Sequence, residues 1–223
     1  MKHVSRHSPI GVFGLKVLLA TVCSITTGCG LAVNLINAGW GNMVDAEFDG
    51  LAGKRVAVAC VSNSPSFGPR PISRQIATQV GELLARNVKE IQLVEQDEID
   101  RWIDENEWNQ VDYLELGKGV KAEMLVAVDL LKFQIHEGQT MFKGRAEMVV
   151  TVYDLANGDI QVFSSEPPEF QYPVNSALHV GEVSERDFRR QFVNMVAGRI
   201  SRTFFAYEFK DDFARDPSMI RPG

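Results

Sequence analysis

The stretch Val56-Ala57-Val58-Ala59-Cys60-Val61 decides the fold, because small apolar residues follow one another here without a polar interruption. A continuous run of this kind is typical of a strand that is buried on both faces of its sheet. We therefore predict a central strand over residues 54–61. Cys60 is interpreted as a small buried residue of this strand, with a reactive thiol as the alternative.

A stiff loop and an amphipathic helix follow the strand. Residues 62–71 contain three prolines and a glycine, which predicts an irregular segment with little freedom. Pro71 suits the first turn of a helix, because the N–H that it lacks would have no partner there. We expect this helix to span residues 71–87. Its apolar face, at spacings of three and four, comprises Ile72, Ile76, Val80, Leu83, Leu84 and Val88.

A second strand and two helices come next. The strand is predicted over 91–94, and Glu95-Gln96-Asp97-Glu98 then opens a helix whose acidic first turn suits the helix dipole. Asp97 is the expected N-cap of this helix. The residues expected to face inward are Ile99, Trp102 and Ile103. A short helix over 111–120 would be capped by Asp112, and we read Gly117-Lys118-Gly119 as its end.

From residue 123 onward the apolar period changes to that of strands. Three strands are predicted over 124–135, 142–155 and 160–164, and Asn157-Gly158 is a strong hairpin signal between the last two. A loop over 165–183 precedes a final helix over 185–205, which Ser184 would cap. Its buried stripe comprises Phe188, Phe192, Met195, Val196, Ile200 and Phe204.

This order of elements predicts the α/β class. The expected architecture is a single-domain mixed sheet, βαβαα, followed by a three-stranded antiparallel meander and a C-terminal helix. The α/β domain is assigned to residues 53–206, and a flexible C-terminal tail to 207–223.

The amino-terminal region has the build of an export signal. Lys2, Arg6 and Lys16 precede an uncharged run that starts at Val17 and includes Thr26-Thr27-Gly28-Cys29. These four residues resemble a bacterial lipobox, in which a small residue precedes a cysteine that becomes acylated. The run therefore predicts a lipoprotein signal peptide over 1–28, lipidation of Cys29 and a tether over 29–52.

Two alternatives for the amino-terminal run remain open. The uncharged stretch is long enough to be an uncleaved membrane anchor over 17–41, and a plain cleaved signal is the third possibility. For the lipoprotein and for the uncleaved anchor, the basic residues hold the amino terminus in the cytoplasm. The domain would then face the periplasm, tethered to the inner or the outer membrane.

Charge excludes some classes of partner. The chain has 23 Lys and Arg against 29 Asp and Glu, and three of the basic residues precede the uncharged run, so the exported part has a net charge of about −9. This acidity argues against a nucleic-acid partner, because basic side chains supply most of that affinity. It also argues against broad adhesion to anionic lipid.

We find no catalytic, cofactor-binding or metal-binding pattern, so the sequence predicts a protein that is not an enzyme and needs no cofactor. His136 and His179 lack a Cys or a second His at metal-ligand spacing. The carboxylates between Glu95 and Glu107 are interpreted as a solvated helix face. Asp129 stands inside an apolar strand, either on its wet face, which we expect, or as a buried, partnered acid.

Three residues are of the types that anchor protein interfaces. Phe67 and Arg70 lie on the proline-stiffened loop, and Trp108 follows the acidic helix. A stiff loop loses little entropy on binding. These residues are the candidate partner-binding residues. The alternatives are that Phe67 folds back over the sheet edge and that Trp108 packs into the core.

From Lys54 to about Ile135 the chain resembles a known superfamily. The strand Arg55-Val56-Ala57-Val58, the segment from Ile91 to Ile99 and the segment from Leu114 to Val126 are similar to the α/β domain of that group. It includes the curli secretion lipoprotein, the lipoprotein activators of penicillin-binding proteins and the amino-terminal domain of TolB. The resemblance implies this fold and a role in the cell envelope. The long barrel-forming hairpins of the curli pore have no counterpart in the sequence.

The function predicted from these features is that of a non-catalytic, membrane-anchored envelope lipoprotein. Its α/β domain would bind another envelope protein, as an adaptor or assembly factor. The alternative is an oligomeric subunit of a secretion or export complex, so the expected partners include a possible homo-oligomer.

Overall fold

The structure, a computed structural model, describes residues 43–62, 71–106 and 112–208. By its internal contacts the chain divides into two compact units, Met1–Met43 and Val44–Gly223. The fold described below is that of the second unit. The predicted signal peptide, the tether up to residue 42 and the tail beyond residue 208 lie outside the described residues.

Strands and four α-helices make up the described part of the chain. The strands are β1 (Met43–Val44), β2 (Arg55–Ser62), β3 (Gln92–Leu93), β4 (Met124–Glu137), β5 (Met141–Asp154), β6 (Ile160–Ser165), β7 (Phe170–Tyr172), β8 (Leu178–His179) and β9 (Tyr207–Glu208). The helices are α1 (Pro71–Asn87), α2 (Gln96–Glu105), α3 (Tyr113–Gly119) and α4 (Glu185–Ser201), and the 3-10 turn Arg202–Phe204 continues α4.

The main sheet is mixed, with the strand order β3-β2-β4-β5-β6. Its first three strands are parallel, since β2 pairs in parallel with both β3 and β4. The strands β4, β5 and β6 form an antiparallel meander. The predicted α/β class and the order of its elements are therefore confirmed.

Two helices cover each face of the sheet. On one face, Val56 and Val58 of β2 pack with Ile76 of α1 and with Phe188 and Phe192 of α4 in the larger hydrophobic core. Ile76, Phe188 and Phe192 are inward positions of the predicted helical stripes, and all five residues are buried. The apolar spacing of three and four thus positions both helices.

The opposite face of the sheet has smaller side chains and a smaller core. Ala57 and Ala59 of β2 pack there with Ile99 of α2 and Leu116 of α3. Since alternate residues of a strand point to opposite faces, the uninterrupted run over β2 supplies both cores.

Close packing explains why glycine stands at positions 117 and 119 of the Gly117-Lys118-Gly119 sequence. A Cβ atom on Gly117 would overlap the side chain of Leu155, and one on Gly119 would overlap the indole of Trp102. The helix α3 ends at Gly119, as predicted. These glycines therefore serve the close packing of α3 against its neighbours.

The predicted N-cap of α2 is wrong. The N-cap is Glu95, with extended backbone and no side-chain capping bond, and Asp97 lies inside the first turn. Asp97 instead forms an ion pair with Arg74 of α1, at 2.5 Å. Glu95 and Asp97 are both acidic and stand two positions apart, so the sequence alone does not show which one is the N-cap. The contact of Asp97 with α1 distinguishes them.

The segment predicted as a loop over 165–183 contains two strands. Both β7 and β8 pair with β5, opposite Ala146 and Phe142 respectively. They pair with the backbone groups on the edge of β5 that extends beyond the end of β6. Strands of two or three residues are too short to show an alternating pattern, so the sequence did not reveal them.

Candidate functional site

The carboxyl end of β2 carries a cluster of polar and aromatic side chains. Val61, near this end, pairs in register with Asp129 of β4. In an open α/β sheet the carboxyl ends of parallel strands are where binding sites commonly form. This edge of the sheet is therefore a candidate functional site.

Helix α3 brings Tyr113 to this edge. The Asp112 side chain accepts hydrogen bonds from the backbone N–H groups of Leu114 and Glu115, each at 3.0 Å, and so fixes the start of the helix. The Tyr113 hydroxyl then donates a hydrogen bond of 2.6 Å to Asp129 Oδ1. Asp129 is half-buried and partnered, so the expectation that it lies on a wet face of the sheet is wrong.

A second tyrosine completes the cluster. The ring of Tyr153 on β5 stacks against that of Tyr113, with a centroid distance of 6.2 Å. Burial raises the pKa of Tyr113 far above its ordinary value, and the hydrogen bond to Asp129 raises it further. The pKa of Tyr153 is also raised, first by burial and then by the charge of Asp129.

The thiol of Cys60 lies in the same strand segment. Burial raises its pKa to about 12, while a hydrogen bond with Ser73 acts in the opposite direction. Cys60 packs partly buried against the larger core, in agreement with its interpretation as a strand residue. At neutral pH the thiol and both phenols stay protonated, which makes them poor nucleophiles and poor bases.

The predicted lipidation and partner-binding residues stay predictions. Cys29, Phe67, Arg70 and Trp108 all lie outside the described residues. The described residues that adjoin these positions in the sequence are informative, however. Ser62, which precedes the segment of Phe67 and Arg70, pairs with Leu130 at the carboxyl end of β2. Asp112, which follows the segment of Trp108, adjoins Tyr113.

Ser62 adds an unusual feature to this edge. Its hydroxyl oxygen is buried, and within the described ranges it has no hydrogen-bond partner. An unsatisfied buried hydroxyl costs about 1–3 kcal/mol. Such a group is a natural acceptor or donor for an incoming polar atom.

The acidic residues of α2 form structural ion pairs. Arg74 of α1 bonds to Asp97 and Asp100, and Arg55 bonds to Glu98 at 3.1 Å. Over the described residues, no group of three or more His, Cys, Asp or Glu is arranged to hold a metal ion. The interpretation of these carboxylates as a helix face agrees with the ion pairs on α1.

A groove is lined by residues of α1 and α4, the two helices that pack together over the larger core. Its volume is about 720 Å³, and Gln75, Gln79, Arg186 and Asn194 are among the residues that line it. Two further lining arginines bond to carboxylates of their own helix, Arg189 to Glu185 and Arg190 to Asp187. These pairs reduce the positive charge that the groove offers to a ligand.

Sequence reasoning singled out Asp129 but missed both tyrosines. An acid inside an apolar strand was the available signal. Its partner lies 16 residues earlier, at the start of another element, and no local pattern connects the two. The stacking of Tyr113 on Tyr153 depends equally on the tertiary fold.

Within the described ranges, none of the helices combines the length and the apolar character needed to cross a bilayer.

No protein-family model matches the chain, and no curated protein matches it significantly. Solved structures similar to it include the PelC dodecamer from Paraburkholderia phytofirmans, at 10% identity and a TM-score of 0.44, over 73% of this chain and 96% of that one. The lipoprotein GNA1162 from Neisseria meningitidis is similar at 10% identity and a TM-score of 0.42, over 66% and 97%. The LpoB C-terminal domain from Salmonella enterica is similar at 10% identity and a TM-score of 0.38, over 56% and 87%.

Proposed function

We propose that this protein is an exported, membrane-anchored envelope lipoprotein whose α/β domain binds another envelope protein. It acts as an adaptor or assembly factor and performs no catalysis. The observation that carries the proposal is the amino-terminal run, in which basic residues precede an uncharged stretch that includes Thr26-Thr27-Gly28-Cys29. Acylation of Cys29 would hold the domain at a membrane surface and face it toward the periplasm.

The carboxyl end of β2 is the proposed partner-binding surface. Phe67 and Arg70 belong to the segment that follows Ser62, and Trp108 belongs to the segment that precedes Asp112. Aromatic residues and arginine are the usual anchors of protein interfaces. Tyr153, half-buried and stacked on the buried Tyr113, would add aromatic area beside them, and the buried hydroxyl of Ser62 would gain a partner.

The chemistry of the described cluster supports binding over catalysis. A nucleophile needs a lowered pKa or an adjacent base. The pKa of Cys60 is about 12, and that of Tyr113 is raised as well. Both shifts oppose activation at neutral pH.

Intact mass spectrometry of the membrane-extracted protein tests the anchor. We compare the wild type with Cys29→Ala. A species that begins at Cys29 and carries acyl chains, and that is lost in the variant, supports the proposal. An unmodified full-length chain in both samples would replace the lipid anchor by an uncleaved membrane segment.

Site-specific photocrosslinking tests the partner surface. A photoreactive residue is placed at Phe67, Arg70 or Trp108 in cells, and at Lys89 as a matched control on the exposed segment between α1 and β3. A crosslink to one envelope protein from the first three positions, absent at position 89, is the expected result. Crosslinks only between copies of this chain, together with a discrete large ring in mass photometry, would favour a subunit of a secretion complex.

A further inference from the structure

Strand β6 is the open edge of the main sheet. The strand order ends at β6, and in the described part of the chain β6 pairs only with β5. An edge strand presents a row of backbone N–H and C=O groups on its outer side. Another extended chain can pair with such a row.

The edge is held firmly in place. Phe163 points into the protein, with ring centroid distances of 5.4 Å to Phe48 and 6.4 Å to Phe204. Ahead of β6, Asp159 forms an ion pair of 2.5 Å with Lys118 of α3. At the other end, the Ser165 hydroxyl donates a hydrogen bond of 3.2 Å to Glu47. A strand fixed in this way loses little entropy when another chain pairs with it.

The composition of the edge is unusual for an open strand. No residue of Ile160–Ser165 is charged. Ile160 is 52% exposed and Val162 is 38% exposed. Soluble proteins commonly protect an exposed edge with charged residues or proline within the strand. Strand β6 lacks both of these protections, and its register against β5 shifts once, between Val152 and Tyr153. Its outer backbone groups are therefore able to accept a partner strand.

We propose that β6 binds an extended segment of the partner protein, which adds to the sheet as a further strand. This inference rests on the proposed function and specifies the chemistry of the partner. The centre of the segment would be uncharged, with apolar side chains at alternate positions to cover Ile160 and Val162. Its flank beside Ser165 would be basic, because Glu166 and Glu47 lie at that end of β6, whereas Asp159 at the other end is already paired with Lys118.

Charge favours a partner protein over a second copy of this chain. Full antiparallel pairing of two β6 strands would bring Glu166 and Glu47 of one copy beside Asp159 of the other at both ends, so that three carboxylates would share one Lys118. Like charges placed opposite each other destabilise a strand pair. The net charge of about −9 on the exported part adds long-range repulsion between copies.

Peptide binding to the full chain, extracted in detergent, tests the proposal. The probe is a fluorescent nonapeptide, Lys-Lys-Val-Thr-Val-Thr-Val-Lys-Lys, and binding is followed by anisotropy. Two control peptides replace the lysines by glutamate or methylate alternate backbone nitrogens. We expect binding of the lysine peptide, at least tenfold weaker binding of the glutamate peptide, and loss of binding on methylation.

Variants of the protein locate the binding edge. Val162→Lys should weaken binding of the lysine peptide at least tenfold. Val180→Lys, at a valine that is 39% exposed beside β8, should change it less than twofold. Hydrogen exchange should show new protection of the β6 amides when the peptide is bound.

Three outcomes would overturn the inference. The first is that no peptide binds at 1 mM, a concentration at which even a weak complex of about −4 kcal/mol is half formed. The second is binding that Val162→Lys leaves unchanged. The third is self-association of the wild type that Val162→Lys abolishes, which would assign the edge to a second copy. Each concerns β6 alone, whereas failure of the proposed function would appear in the Cys29→Ala masses and the crosslinks at Phe67, Arg70 and Trp108.

Discussion

The hydroxyl of Tyr113 donates a 2.6 Å hydrogen bond to Oδ1 of Asp129, and this bond joins the first residue of α3 to β4. Asp129 is the one acid within the apolar stretch of β4, and Val61 of β2 is its parallel neighbour. The bond therefore fixes the start of α3 against the carboxyl end of β2. The bond also gives the half-buried carboxylate of Asp129 a hydrogen-bond donor.

Removal of the Tyr113 hydroxyl should destabilise the domain. Tyr113→Phe keeps the ring but takes the donor from Asp129, and loss of a bond to a charged group costs about 1–3 kcal/mol. Urea denaturation followed by circular dichroism measures the change in the free energy of unfolding. Tyr153→Phe is the matched control, since its ring stacks on Tyr113. Equal losses in the two variants would contradict a special role for the bond.

The same hydroxyl should make stability depend on alkaline pH. Burial and the Asp129 bond raise the folded-state pKa of Tyr113 above the unfolded value near 10. Its contribution is therefore complete below about pH 10 and is lost as the pH rises toward the folded-state pKa. The difference in unfolding free energy between wild type and Tyr113→Phe should be constant from pH 7 to 9 and should shrink above pH 10. A difference that grows with pH would refute this assignment.

Most of the fold could be predicted because its signals are local. The apolar run over β2, the spacing along α1 and the Asn157-Gly158 turn each depend on neighbours in sequence. Helix α1 has the bounds that were predicted, Pro71–Asn87. The strands β7 and β8 could not be predicted, because β5 determines them and their own few residues show no period.

The candidate site was predictable to a smaller extent. Asp129 stood out as an acid inside an apolar strand, but its partner Tyr113 is chosen by the packing of α3 on the sheet. The side of the strand on which Asp129 lies could not be read from its neighbours. Phe67, Arg70 and Trp108 were selected by residue type and loop stiffness, and they remain predictions.

The N-cap of α4 offers a direct test of helix capping. The Ser184 side chain accepts a hydrogen bond of 3.1 Å from the backbone N–H of Asp187 and donates one of 2.7 Å to the Asp187 carboxylate. Ser184→Ala should lower the unfolding free energy by about 1 kcal/mol. Ser176→Ala, at an exposed serine outside the helices, should change it by less than about 0.5 kcal/mol.

The stability of Ser184→Ala at acid pH gives a second test of the cap. The Ser184 hydrogen bond holds the pKa of Asp187 below its usual value. A lowered pKa stabilises the fold above the unfolded-state pKa, and this contribution is lost as the pH falls through the folded-state pKa. The penalty of Ser184→Ala should therefore be smaller near pH 2 than at pH 7. An equal penalty at both pH values would mean that the Asp187 contact contributes nothing.

Gly144 of β5 should not tolerate a side chain. A Cβ atom there would overlap the ring of Phe192, which is fully buried and stacks on Phe170 at 5.9 Å. Gly144→Ala should cost about 1–3 kcal/mol, as overpacking typically does. Gly181→Ala, whose new Cβ would have His179 Nδ1 at 3.5 Å, is the control.

A double-mutant cycle checks the cause of that loss. Phe192→Ala removes the ring atoms that the new Cβ would meet. We expect the two substitutions together to cost at least about 0.5 kcal/mol less than the sum of their separate effects. Strict additivity would place the strain somewhere other than the contact between Gly144 and Phe192.

Cys60 should be chemically inert in the folded protein. Burial raises its pKa to about 12, so at pH 8 its thiolate fraction is about a thousandfold below that of an ordinary cysteine with a pKa near 8.5. In a Cys23→Ser, Cys29→Ser chain, where Cys60 is the remaining thiol, maleimide should react at least a hundredfold more slowly without urea than in 8 M urea. Rapid labelling of the folded chain would mean that the carboxyl end of β2 opens to solvent. Slow labelling would agree with rigid packing of Cys60 at this end of the strand.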